Sequence, residues 1–278
     1  MRKMYIVPNI FTAFSLSCGL FVIFKMNLTE QGVGIFQVLQ TSTILLLLAS
    51  IADWIDGALA RAIHAESNFG SLFDSMSDGI TFGVAPSVIV LKSLSLPLGT
   101  PISVFAVVGS MLFSICGILR LVRFNVKESE AKKTTSAQAA KKKQKHFTGL
   151  PIPAAALGVV GTNFLFAYPP FEAFSGWSED VQALLISSVM IVLAYFMVSR
   201  FKFPSAKMLH FRMPSFPLVF VAVILALFLL YGVLYFLPIT LAIATWAYIL
   251  LGWTFAIIRL IAGKKSKTLV DFEPDEDE

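Results

Sequence analysis

The amino-acid sequence predicts an all-α membrane protein, a polytopic bundle of about eight transmembrane helices. Three observations carry that expectation. Of 278 residues, 56% are hydrophobic and only 14% are charged, whereas about a quarter of a soluble domain is charged. The mean hydropathy is +0.78. The apolar residues also fall in long blocks, each near the ~20 residues that a helix needs to cross a bilayer.

In chain order the blocks cover roughly 8–26, 36–60, 70–94, 101–124, 149–168, 181–199, 216–236 and 239–262. Only a tight turn at Leu237-Pro238 separates the last two, so seven spans is the alternative count. Pro8, Pro101, Pro151 and Pro217 fall in the first turns of their blocks, where a missing N–H costs little. The first block follows Met1-Arg2-Lys3-Met4 without a small-residue cleavage site after it. It reads as a retained helix rather than a signal peptide. Cys18 and Cys116 each lie within an apolar block and read as small packing residues. They offer neither a disulfide framework nor a zinc site.

Basic residues orient the bundle. Every Lys and Arg except Lys25 and Lys92 falls on one side of these spans. That side is expected to be cytoplasmic, with both termini there. Residues 127–146 are rich in Lys and Ala and read as a loop near anionic headgroups, or as a solvated linker. The last residues, Asp271 to Glu278, form an acidic tail. The expected organisation is one membrane domain over 1–262 followed by a charged cytoplasmic tail over 263–278. Within the domain, a core covers about 5–200 and extra helices cover about 216–262. The expected partners are membrane lipids and not nucleic acid.

Ionisable groups inside membrane helices are expensive, which makes them functional candidates. Asp53 and Asp56 lie near the end of the second block, and Asp74 and Asp78 near the start of the third. At ~100° per residue, each pair shares one helix face. At ~1.5 Å per residue, both pairs sit about 6–8 Å inside the same ends of two antiparallel helices. Four like charges in low dielectric repel. Divalent cations with oxygen ligands compensate such a cluster, and Mg²⁺ pairs carboxylates with a substrate phosphate. Two such ions would clamp a phosphoryl group. The small residues Gly57, Ala58, Ala60 and Gly70 let a ligand or neighbouring helix approach the backbone.

The segment reads Asp53-x-x-Asp56-Gly57-x-x-Ala60-Arg61, then eight residues, then Gly70-x-x-x-Asp74-x-x-x-Asp78. It resembles the full signature of the CDP-alcohol phosphotransferase family at every fixed position. The resemblance implies that Asp53, Asp56 and Asp74 bind two divalent cations, Mg²⁺ or Mn²⁺. It implies that Asp78 is the general base and also touches a metal. It assigns Gly57, Arg61 and Ser67 to the CDP moiety, with Gly70, Asn9 and Thr12 as further CDP-lipid contacts. Other stretches resemble one branch, the bacterial and archaeal phosphatidylserine synthases. They are Pro8-Asn9-x-x-Thr12, Ser77-Asp78-Gly79-x-x-Phe82-Gly83-Val84-Ala85-Pro86, Arg120-x-x-Arg123-Phe124-Asn125, and Phe147-x-Gly149-Leu150-Pro151-Ile152-Pro153-Ala154.

The expectation is therefore transfer of a phosphatidyl group from CDP-diacylglycerol to L-serine, in a homodimer of the cell (inner) membrane with its active site facing the cytoplasm. Arg120 and Arg123, i and i+3 on one face, suit a carboxylate, and Asn125 adds a polar contact. Anchoring to lipid phosphates is the competing role for the two arginines. Glycerol 3-phosphate, inositol or choline as acceptor, or a divalent-cation transporter, are the competing functions. His64, His146 and His210 receive no role.

Overall fold

The computed structural model describes residues 6–30, 34–62, 68–97, 99–133, 147–199, 202–203 and 215–262. Its helices, in order, are α1 (Ile6–Leu28), α2 (Ile35–Ala62), α3 (Asn68–Asp78), α4 (Ala85–Ser93), α5 (Pro101–Lys133), α6 (Ile152–Phe166), α7 (Pro169–Ser175), α8 (Glu179–Val198), α9 (Ser215–Tyr235) and α10 (Leu237–Ala262). A π-helical segment, Gly79–Val84, joins α3 to α4. The all-α expectation holds, with one addition. Strands β1 (Phe147–Thr148) and β2 (Lys202–Phe203) form a two-residue antiparallel ladder.

Among the described residues, five helices are long and apolar enough to cross a membrane, and a sixth span results if α6 and α7, bent by 71°, are taken as one. Several expected boundaries shift. The third block is one helical path interrupted by the π segment. The seventh block keeps its expected bounds as α9, Ser215–Tyr235. Helix α5 does not stop near residue 124 but runs to Lys133, so the first residues of the expected loop are helical. Pro151 is the N-cap of α6, one residue before its first turn. The last two helices part at Phe236, and Pro238 lies in the first turn of α10.

Large apolar side chains such as Phe14, Phe21, Phe24, Leu112, Leu119 and Phe228 are exposed, as expected of a surface whose solvent is lipid. The buried core lies between helices. Phe82, Phe113, Ile152, Ile186 and Met190 form its centre. A second cluster of Met26, Leu39, Ile89 and Phe164 closes the end away from the aspartates, where Phe36 stacks on Phe164 at 5.2 Å.

Helix α1 packs against both α2 and α3. The contact with the π segment is close. The Thr81 Oγ1 hydroxyl donates to the Ser15 carbonyl at 3.3 Å, and Gly19 lies flush against Thr81. On the other side, α5 covers Gly79 and Gly83 with Ile118. In the π register the Ala85 N–H bonds to the Ile80 carbonyl. The Ser114 hydroxyl from α5 donates to the Gly83 carbonyl at 2.9 Å. A membrane leaves no water to satisfy the backbone groups that such a register shift frees, so a neighbouring Ser takes that role.

At the aspartate end, Gly149 turns with φ +82°, where a Cβ would collide with the Met197 carbonyl. The next N–H, of Leu150, donates to the Phe196 carbonyl at 3.1 Å. This turn and the β1–β2 ladder tie the start of α6 to the end of α8.

The α1 packing yields a test. A Cβ on Gly19 would lie 2.5 Å from Thr81 Oγ1 and 2.8 Å from Thr81 Cα. Gly19→Ala should therefore lower detergent stability by about 1–3 kcal/mol, although Ala is the better helix former. In Gly117→Ala the nearest atom, at 2.9 Å, is the flexible end of Ile152, and the loss should be smaller. Thermal unfolding of both variants in detergent checks the ranking.

Candidate active site

Helix α2 carries Asp53 and Asp56 one turn apart, and α3 carries Asp74 and Asp78 one turn apart. Asp56 is 4% exposed, and the other three are half-buried. One carboxylate oxygen from each of Asp53, Asp56 and Asp74 lies within 4.8 Å of the others. Of the four expected aspartates, three thus converge on one point. Asp78 stands outside that group, one turn deeper, yet its charge interacts with all three.

Helix α1 holds this arrangement. The Thr12 hydroxyl, buried like Asp56, donates to Asp56 Oδ2 at 2.8 Å. The Thr12 carbonyl in turn accepts from the Ser77 hydroxyl at 3.2 Å. Residue 12 therefore bridges α2 and α3, and it fixes one carboxylate with a donor that a ligating oxygen retains. Thr12 was expected as a contact of the CDP-lipid, and here its hydroxyl serves Asp56.

Helix α5 supplies the cation. Gly79 and Gly83 let α5 approach, which sets Arg120 in electrostatic contact with Asp78. Arg120 Nε is buried and has no hydrogen-bond partner among the described residues. Arg123 is half-buried one turn further on. Asn125 Oδ1 accepts from the Ser75 hydroxyl at 3.0 Å, which ties α5 to the residue beside Asp74. Arg120 is thus the arginine that faces Asp78, a distinction that i, i+3 spacing does not make.

The remaining expected site residues are less defined. Asn9, Gly57 and Gly70 are half-buried. Arg61 lies in the last turn of α2, with its side chain outside the described residues. Ser67 lies outside them altogether.

The donor set suits a hard divalent cation. All three converging groups are carboxylates, the ligands that Mg²⁺ and Mn²⁺ prefer. Three oxygens within 4.8 Å of one another each need to move by less than about 1 Å to reach the ~2.1 Å of Mg²⁺ ligation. Each carboxylate also has a second oxygen, which a bridging arrangement requires.

Comparison with known proteins agrees with this chemistry. Residues 5–181 match the family described as CDP-alcohol phosphatidyltransferase. A Helicobacter pylori (strain ATCC 700392 / 26695) protein is 29% identical over 277 residues, covering 95% of this chain and 98% of its own length. A Bacillus subtilis (strain 168) protein is 29% identical over 201 residues, 72% of this chain and 91% of its own. One from Methanocaldococcus jannaschii is 31% identical over 172 residues, 62% of this chain and 67% of its own. All three are named CDP-diacylglycerol--serine O-phosphatidyltransferase.

The Thr12–Asp56 contact predicts a loss in metal affinity. A partner that orients a metal ligand is worth about 10–100-fold in affinity. Thr12→Val, which keeps the shape and removes the donor, should weaken Mn²⁺ binding by about that factor. Thr12→Ser should retain it. Mn²⁺ titration followed by electron paramagnetic resonance distinguishes the two.

Proposed function

We propose, on the footing that the chain belongs to the CDP-alcohol phosphatidyltransferase family, that it transfers the phosphatidyl group of CDP-diacylglycerol to L-serine, giving phosphatidylserine and CMP. The observation that carries the reading is the convergence of Asp53, Asp56 and Asp74 beside Asp78 and Arg120. That grouping pairs a phosphate-binding metal site with a base and with a cation for an anionic acceptor. The names of the relatives support serine as that acceptor.

Asp53, Asp56 and Asp74 would hold two divalent cations, Mg²⁺ or Mn²⁺. Bound there, the ions would neutralise the pyrophosphate of the lipid nucleotide and draw electron density from the phosphorus. Asp78, the carboxylate left outside the converging group, accepts the proton of the serine hydroxyl. The serine oxygen then bonds to the β-phosphorus, the one bearing diacylglycerol. The bond from that phosphorus to the bridging oxygen breaks, and CMP leaves with the electron pair. Arg61 is assigned to the departing phosphate of CMP. Gly57, Ser67, Gly70 and Asn9 are assigned to the CDP-lipid. Arg120 binds the serine carboxylate, with Arg123 and Asn125 beside it.

The same reading sets the topology. Eight spans, with the basic loops and both termini cytoplasmic, place the aspartate end at the inner face of the cell membrane. Soluble serine reaches it there, and the acyl chains stay in lipid. The core over about 5–200 and the helices over about 216–262 form one membrane domain, with 263–278 as a tail, and the protein acts as a homodimer.

Purified protein given CDP-diacylglycerol should release CMP with serine, and not with glycerol 3-phosphate, inositol or choline. Release with one of those and not with serine contradicts the acceptor. EDTA should stop the reaction and Mg²⁺ or Mn²⁺ restore it. Undiminished turnover without metal contradicts the assignment of the three aspartates. Asp78→Asn should lower kcat by about 10²–10⁴-fold, the usual contribution of a general base, while leaving Mn²⁺ binding largely intact. Near-normal kcat would remove Asp78 from that role.

A further inference from the structure

The helices after residue 200 lie outside the matched family segment, 5–181, and the reaction above uses none of them. One residue there nevertheless adjoins the site. Helix α10 packs on α6, where Ile249 is buried against Gly158 and the Trp246 indole donates to Thr162 at 2.9 Å. This seating brings the next inward position, Tyr248, against the cluster that contains Leu121, Leu150 and Ile152. Leu121 is the immediate neighbour of Arg120. Tyr248 also interacts electrostatically with Arg120. Five residues further along α10, Trp253 packs on Phe196 at 6.2 Å, and the Phe196 carbonyl accepts from the Leu150 N–H at the aspartate end, so Tyr248 lies toward that end of the bundle.

The geometry points to Tyr248 as a specificity-determining residue that donates its phenol hydroxyl to the carboxylate of the acceptor held by Arg120. This deepens the serine reading and rests on it.

The chemistry of the surroundings favours that role. Arg120 Nε is buried without a hydrogen-bond partner among the described residues, and a buried donor of that kind is costly unless a ligand satisfies it. A carboxylate has about four lone-pair positions, and one guanidinium fork fills only part of them. Tyr248 adds a donor with no charge, so the pocket does not become a general anion trap for phosphates. Asp78, which also interacts with Arg120, repels a carboxylate. An acceptor with a carboxylate at one end and a hydroxyl at the other is thereby oriented, its acid toward Arg120 and Tyr248 and its hydroxyl toward Asp78.

The test is steady-state kinetics of the full-length protein in detergent with Mg²⁺, varying serine and CDP-diacylglycerol separately. Tyr248→Phe, which removes one oxygen, should raise the serine KM about tenfold, the effect of one hydrogen bond to a charged group. The KM for CDP-diacylglycerol and the thermal stability should not change. Tyr248→His, which keeps a donor, should recover part of the affinity. In Arg120→Lys/Tyr248→Phe the losses should fall short of multiplying, because both side chains serve one carboxylate. An unchanged serine KM in Tyr248→Phe, or equal rises in both KM values, would overturn the assignment of Tyr248 while leaving serine as substrate. A wild-type protein that releases CMP with a different acceptor, and not with serine, would instead overturn the underlying reading.

Discussion

The mutual repulsion of four aspartates within a membrane-embedded bundle is the constraint around which this structure is arranged. At an effective dielectric constant of 20, two unit charges 4 Å apart interact by about 4 kcal/mol. Three carboxylates whose oxygens lie within 4.8 Å of one another are therefore held together against a substantial force. Arg120 interacts with Asp78, and the Thr12 hydroxyl donates to Asp56. Hard divalent cations suit such a cluster in charge and in ligand preference.

The backbone meets this constraint by close approach. Helix α1 touches α2 and α3 through Thr12 and the π segment through Ser15 and Gly19, all on one face at helical spacing. Its three contacts replace packing bulk with hydroxyls and a bare backbone. On the opposite side of α3, Gly79 and Gly83 in the π segment receive α5. An extra residue in that turn re-aims the chain after Asp78, and π turns recur at functional sites for this reason. The result is a polar end built from α1, α2, α3 and α5 above a dry interior of Phe82, Phe113 and Ile186. The aromatic contacts of Trp177 with Phe166 and Phe171 lie toward the other end, in keeping with an interfacial belt.

Much of this was legible in the sequence, because charge inside an apolar block has few bland explanations. Asp53, Asp56 and Asp74 could be placed on shared faces at matched depth from helical periodicity alone. Periodicity does not say which of Arg120 and Arg123 turns inward, since residues three apart share a face. That choice depends on how closely α5 approaches Gly79 and Gly83. The π segment was hidden for a related reason. A single extra residue per turn leaves no compositional trace, so residues 70–94 read as one uniform span. The Thr12–Asp56 contact was not legible, because it spans 44 positions and joins two helices whose packing no local pattern specifies. Tyr248 gave no signal at all. It is one aromatic residue within an apolar helix, and only tertiary packing sets it near Arg120.

Whether Asp53, Asp56 and Asp74 form a metal site is tested most directly by locating the ion. Crystals of the protein grown with Mn²⁺ should show anomalous scattering between these three side chains, and the signal should vanish in Asp56→Asn. A manganese peak elsewhere in the bundle, or none within reach of the three carboxylates under conditions that support turnover, would contradict the account.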